Sequence, residues 1–312
     1  MMNARRITFA ATMLLALAAL HTSGCSSQRP DRPIVRDEPP PSYADIARVY
    51  NERADRLDRV WARAVVRFDY EDDRGRMRRE QGEGHLQYLA PGRLALSVGK
   101  LGETLFWLGC DEQRYWWFDL HESNQASIGR HQNLGRSCNK SLGLPAHPHD
   151  IIQLLGVTPL PTGSIASSAR VGWSGDGRWI VVEIPGAAGY TQYFIDPQTY
   201  EPGWIKLLHP SERSPLVHAE LDNYENVVRR VEGGFFPRMA SRISIRTPDE
   251  AGEIRLTLSA LSDGREDRGR LADSAFSFDA LSRAYRPQSV VILDELCPQP
   301  AAGVASAPAD SQ

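Results

Sequence analysis

The stretch from Gly84 to Leu120 constrains the fold more than any other. Three short runs rich in aromatic and branched residues are broken at Pro91-Gly92, at Gly99-Lys100-Leu101-Gly102 and from Gly109 to Gln113, the punctuation of consecutive antiparallel strands in a meander. Leu94, Leu96 and Val98 share one face of the middle run, and Ala95, Ser97 and Gly99 the other. In the next two runs both faces are apolar: Leu105 and Trp107 oppose Phe106 and Leu108, and Tyr115 and Trp117 oppose Trp116 and Phe118. An antiparallel sheet usually leaves one face wet, so two greasy faces call for helices on one side or for a curved sheet around a cavity.

The remaining chain extends this pattern in both directions. Ser42 and Asp45 form a capping pattern ahead of Ile46, Val49, Tyr50, Leu57, Val60 and Trp61 at helical spacing. From Val60 the period becomes two, with Ala62, Ala64, Val66, Phe68 and Tyr70 on one face, and a second strand is expected over 78–89. Residues 121–146 read as polar and irregular. Asp150 as cap and Gly156 as terminator frame a short helix suited to covering a cavity mouth. A second meander is expected over 169–174, 178–184, 191–195, 203–209, 215–224, 238–246 and 253–261, with Gly175-Asp176-Gly177 as its first hairpin turn. Residues 261–275 read as a mobile loop and 276–285 as a closing turn or short helix. About a dozen short strands and two helices indicate one large barrel or sandwich.

The amino terminus sets the compartment. Arg5 and Arg6 precede an apolar run from Phe9 to Leu20 that is too short to span a membrane permanently, so residues 1–24 read as an export signal. Thr22-Ser23-Gly24-Cys25 resembles the lipobox of bacterial lipoproteins, in which the cysteine becomes the acylated first residue. Two or three acyl chains there anchor stably, whereas one binds only marginally. Ser26 after the cysteine, by resemblance to lipoprotein sorting rules, implies the outer membrane facing the periplasm. Residues 25–41, with Pro30, Pro33 and Pro39-Pro40-Pro41, read as an extended tether, 42–287 as the domain and 288–312 as a disordered tail.

An exported chain permits disulfides, and Cys110 with Cys138 is the candidate pair, worth roughly 3–4 kcal/mol if closed. The net charge of −3 comes with no clustered basic surface of the kind nucleic acid requires. The nucleophile elbow, metalloprotease helix and P-loop signatures are all missing from the sequence, so no catalytic residue is named and no enzyme is expected. His131, Cys138, His147, His149 and Asp150 are metal-ligand types without a standard spacing, so no metal or other cofactor is expected.

The helix leading into a meander, Gly84-x-Leu-x-Tyr-x-x-Pro-x-Arg-Leu-x-Leu, the turn at Leu101-Gly102 and Tyr193-Phe-Ile-Asp-Pro-Gln-Thr-Tyr-Glu-Pro202 resemble the LolA/LolB lipoprotein-localisation superfamily over about residues 43–260. The resemblance implies a mainly β fold, an unclosed antiparallel half-barrel with a helical lid around an apolar cavity for lipoprotein acyl chains. It also implies that Leu101 matches the exposed leucine of a membrane and cargo loop, the alternative being a leucine that folds back onto the sheet. The candidate lining is Phe68, Tyr88, Leu94, Leu96, Leu105, Trp107, Trp117, Trp179 and Tyr193, with either sheet face left open as the concave one. The expected function is lipid or acyl-chain binding, as in lipoprotein sorting or lipid transfer. The alternative is a structural or interaction lipoprotein whose barrel is filled by its own side chains and whose partner is another envelope protein.

Overall fold

The computed structural model describes residues 33–71, 76–121, 123–133, 148–186, 189–230, 236–248, 252–265 and 270–296. The first meander gives β1 (Arg59–Glu71), β2 (Met77–Leu89), β3 (Arg93–Lys100), β4 (Glu103–Cys110), β5 (Arg114–Asp119) and β6 (Gln125–Arg130). The second gives β7 (Arg170–Trp173), β8 (Ile180–Gly186), β9 (Gly189–Ile195), β10 (Pro202–Leu208), β11 (Pro215–Asn226), β12 (Arg238–Arg246) and β13 (Gly252–Ser262). A last strand, β14 (Ser289–Ile292), follows the third helix. All join one sheet in the order β14-β6-β5-β4-β3-β2-β1-β13-β12-β11-β10-β9-β8-β7, antiparallel except for the parallel pair β14–β6. β1 is the seam: β2 pairs along one side of it and β13 along the other, so the two meanders become one surface.

The sheet is unclosed and curls around its helices. Helix α1 (Tyr43–Ala54) starts at Ser42, whose hydroxyl oxygen accepts from the Asp45 N–H at 3.2 Å and donates to the Asp45 carboxylate at 2.6 Å. Its stripe of Ile46, Ala47, Tyr50 and Ala54, continued by Leu57, is buried. Helix α2 (Pro148–Leu154) touches β3, β4 and β5 on one flank and β10 on the other, although β4 and β10 stand seven places apart in the sheet. Only a strongly bent sheet brings those strands to one short helix. Val60, Ala62, Ala64 and Val66 of β1 face this common interior together with Leu86, Tyr88, Leu94, Leu96 and Leu108, in a continuous apolar cluster with residues of both helices.

The outer face of the first meander is covered as well. Leu271 donates its N–H to the buried Gln87 side-chain oxygen at 2.9 Å, and Leu271, Ala275 and Phe276 pack on Trp61 and Ala95. Helix α3 (Phe278–Tyr285), capped by Ser277, places Phe278 and Leu281 on Trp116, Phe118 and Ala126. The small residues of β3 and Gly109 make room for this layer; a side chain at Gly109 would run into the Trp116 indole.

Several expectations are corrected. Residues 125–130 form a strand rather than an irregular loop. Residues 270–276 pack on the sheet instead of forming a mobile loop. Ser289–Ile292, expected to lie in a disordered tail, pairs with Gln125–Ile128 instead. The tether expected over 25–41 is docked in its second half: Ile34 donates its N–H to the Asp176 carbonyl at 2.8 Å, Arg36 donates to Gly177 O at 2.9 Å, and Trp173 donates to Glu38 O at 2.9 Å. Cys25, Cys138, Cys297 and His147 lie outside the described residues.

Candidate functional site

The interior of the bent sheet is closed by a strap made of α2 and the segment that follows it. Ile151, Ile152, Leu154, Leu155, Val157 and Leu160 are all buried. The helix begins at Pro148 with Asp150 inside its first turn, and it ends where Gly156 turns to φ +67°, a left-handed conformation that glycine adopts without cost. Gly156 lies against Leu221, Pro202 and Ile205, so the strap seats its end on β10 and β11.

Polar side chains of α1 hold the strap by its backbone. Arg53 donates from Nη2 to Gly156 O at 2.9 Å, and the Tyr50 hydroxyl donates to the same oxygen at 3.3 Å. Asn51 makes a two-way pair with Leu160, donating from Nδ2 to its carbonyl at 2.9 Å and accepting its N–H at 2.7 Å. Tyr43 donates to Pro161 O at 2.7 Å. Arg53 is only 8% exposed and its guanidinium carbon stands 4.8 Å from the Tyr50 ring centre and 6.0 Å from that of Tyr224. Burial drives the phenols of Tyr50, Tyr193 and Tyr224 upward from their ordinary value, and the neutral hydroxyls of Tyr50 and Tyr224 donate to the Gly156 and Pro202 carbonyls. Burial also raises the Glu201 carboxyl, although its oxygen lies 2.8 Å from Arg238.

At the other end of the strap His149 and His131 stand with ring centres 5.1 Å apart. Burial, and next the charge of His131, push His149 below its usual value. His131 Nε2 lies 2.7 Å from the Asp111 carbonyl.

The expected lining residues divide between the two faces. Tyr88, Leu94, Leu96 and Tyr193 are buried in the interior cluster, and Phe68 and Trp117 pack on it. Trp107 points the other way: its ring centre lies 5.9 Å from that of Tyr285, under α3 on the outer face, and Leu105 alternates onto the same face. Those two are therefore removed from the lining. Trp179 lies across Gly203, where a side chain would collide with its ring. The strap residues Ile151, Ile152, Leu154 and Leu155, and Arg53 with them, are interior residues missing from the expected lining. The first four stand in a visibly apolar stretch of sequence, whereas a charged residue such as Arg53 gives no such sign.

Leu101 is 97% exposed at the tip of the β3–β4 hairpin, with φ 54°. Cys110 is a free, buried thiol whose Sγ donates to Gly92 O at 3.6 Å, and burial pushes it up to about 12.

Among solved structures the chain is similar to a LolA superfamily protein from Nitrosomonas europaea, at 14% identity and TM-score 0.48 over 77% of this chain and 99% of that one. It is similar to a putative outer membrane lipoprotein-sorting protein domain from Vibrio parahaemolyticus, at 12% identity and TM-score 0.44 over 70% and 92%. A DUF1329 family protein from Desulfovibrio piger aligns at 12% identity and TM-score 0.49 over 77% and 97%. No family model and no curated protein matches the sequence. The unclosed half-barrel with internal helices stands on the strand order itself.

Proposed function

We propose that this chain is a lipid-anchored protein of the bacterial envelope that binds acyl chains without catalysing a reaction, with the strap of α2 as the occupant of the acyl site in the ligand-free state. One observation carries this reading: a seven-residue helix bridges the two flanks of the apolar trough, and its end is latched through backbone carbonyls to a neighbouring helix. Burying Ile151, Ile152, Leu154 and Leu155 of the strap contributes roughly 6–12 kcal/mol in total. An acyl chain of about a dozen methylenes gains roughly 10 kcal/mol. The two occupants are close to balanced, as reversible loading and release require. Cys25 is the proposed attachment point for the anchor, and Leu101 the proposed contact with cargo or membrane.

A second reading is favoured by the packing of Tyr88, Leu94, Leu96 and Tyr193, whose interior space is taken by side chains of α1 and α2. On that reading the barrel is a self-filled module whose partner is another envelope protein. Native mass spectrometry of the full chain, together with displacement of a fluorescent fatty acid, separates the two. Co-purifying lipid and saturable displacement support the carrier. Their absence in a variant with a loosened strap rules it out and leaves the self-filled module.

A further inference from the structure

The latch on the strap is also a half-filled recognition site. Arg53 stands in the last turn of α1 with 8% of its surface exposed. Taking a guanidinium that far from water is costly unless an anion or enough acceptors meet it. Among the described residues no carboxylate pairs with it: Glu201, whose carboxyl feels its charge, is bonded to Arg238 at 2.8 Å instead. Its acceptors are backbone carbonyls, Gly156 O on Nη2 at 2.9 Å and Arg238 O on Nη1 at 3.2 Å. Nε is buried with no hydrogen-bond partner.

Those positions decide which ligand end fits. On a guanidinium the Nε and Nη2 hydrogens point the same way and form one fork, spaced for the two oxygens of a carboxylate. Here a single carbonyl oxygen sits on the Nη2 side of the fork, and the Nε side has no acceptor. The Tyr50 hydroxyl converges on the same oxygen at 3.3 Å. A carboxylate seated there would meet three donors where Gly156 O meets two.

The strap is laid out in the same order as such a ligand. Ile151, Ile152, Leu154 and Leu155 are buried along it, and the acceptor carbonyl of Gly156 follows directly. A hydrocarbon chain that takes the place of these side chains brings its polar end to Arg53. Because Gly156 O covers the fork, the fork is reached only when the strap leaves, so entry of the chain and capture of its head are one event. The cation is already out of water in the ligand-free protein, and only the carboxylate is desolvated on binding.

We propose that the trough selects unesterified long-chain carboxylates, the Nε/Nη2 fork of Arg53 and the Tyr50 hydroxyl holding the carboxylate head where Gly156 O sits in the ligand-free state. The inference rests on the reading of the strap as the occupant of an acyl site and names the ligand class of that site. A neutral ester or alcohol replaces Gly156 O without supplying the second charged oxygen, so the acid is expected to bind about tenfold more tightly or better.

The full chain is equilibrated at neutral pH with radiolabelled dodecanoate, methyl dodecanoate or dodecanol, and bound ligand is counted after dialysis. The variants are Arg53→Met, Arg53→Lys and the control Arg48→Met, whose arginine is 65% exposed along its side chain on the same helix. Preference for dodecanoate over both neutral ligands by about tenfold or more, lost in Arg53→Met, reduced in Arg53→Lys and kept in Arg48→Met, supports the site. The ratio between ligands is the readout because a general loss of stability weakens all three alike. Arg53→Lys keeps the buried charge without the fork and carries the test if Arg53→Met does not fold. Equal affinities for the three ligands in the unaltered protein, or a preference that survives undiminished in the Arg53 variants, overturn this proposal and leave the acyl-chain reading standing. Binding of none of the three overturns both.

Discussion

Arg53 donates from Nη2 to the carbonyl oxygen of Gly156 at 2.9 Å, joining the last turn of one helix to the left-handed residue that ends another. A charge this deep stays in place because carbonyls and ring faces surround it; Arg238 O, at 3.2 Å from Nη1, is a further acceptor. Removing it takes away a charge-assisted hydrogen bond, worth about 1.5–3 kcal/mol. Arg53→Met is therefore expected to lower stability by about 1–3 kcal/mol and to speed amide exchange at residues 151–156 well beyond that of β1. Amide exchange read by mass spectrometry checks this. Equal acceleration across the sheet would mean that Arg53 supports the whole fold and does not act as a latch on the strap.

Strap and wall residues should separate when truncated. Ile152 and Leu94 are both buried, at 3% and 0% exposure. Truncation to alanine should cost each about 2–5 kcal/mol in denaturant unfolding. Ile152→Ala weakens the internal occupant and is expected to tighten fatty-acid binding, whereas Leu94→Ala spoils the wall and should weaken it. Parallel changes in the two variants would count against the strap as a displaceable filler.

The strap also carries a pH dependence. His149 is held below its usual value of 6.5, first by burial and then by His131. As pH falls below 6.5 the unfolded chain takes up a proton that the folded chain resists, so this contribution to stability is complete above that pH and is lost as pH falls. His85, lowered by burial and by Arg63 and Arg270, acts in the same direction. The thermal midpoint should drop between pH 7.5 and 5.5, and His149→Gln should drop by less. An identical profile for the variant would remove His149 from the explanation.

Leu101 holds a left-handed backbone with its side chain in solvent. That conformation costs a residue with a Cβ roughly 1–2 kcal/mol, which glycine avoids. Leu101→Gly is expected to raise the unfolding midpoint while lowering partition onto lipid vesicles. A variant that is more stable and partitions equally well would show that the leucine has no part in contacting a bilayer.

How much of this could be read from the residues alone depends on which signal each segment carries. The doubly apolar runs Leu105–Leu108 and Tyr115–Phe118 announced cover on both sides of the sheet, and α2 and α3 supply it. Which alternation faced inward was not legible, because Trp107 and Trp117 are equally greasy and period two gives no sign. That is why Trp107 was placed in the trough and lies outside it. The strand at Gln125–Arg130 has small and polar residues with no pattern of its own. It forms because Tyr115 needs a bare neighbour, which Gly129 provides, and because Trp116 and Phe118 need the flank that Ile128 and Ala126 extend. The latch was hidden for a related reason: an arginine on a helix surface normally points to water, and Arg53 turns inward to carbonyls of Gly156 and Arg238, both more than a hundred residues away.

The two margins of this unclosed sheet, β7 and β14, are four residues each. Beside β7 runs the docked segment around Ile34, whose N–H is already spoken for. Among the described residues, a second molecule adding itself edge to edge would find a four-residue ladder on either side, too short to hold a register. Margins of that length offer little purchase for the fibrous stacking that a long bare strand would invite.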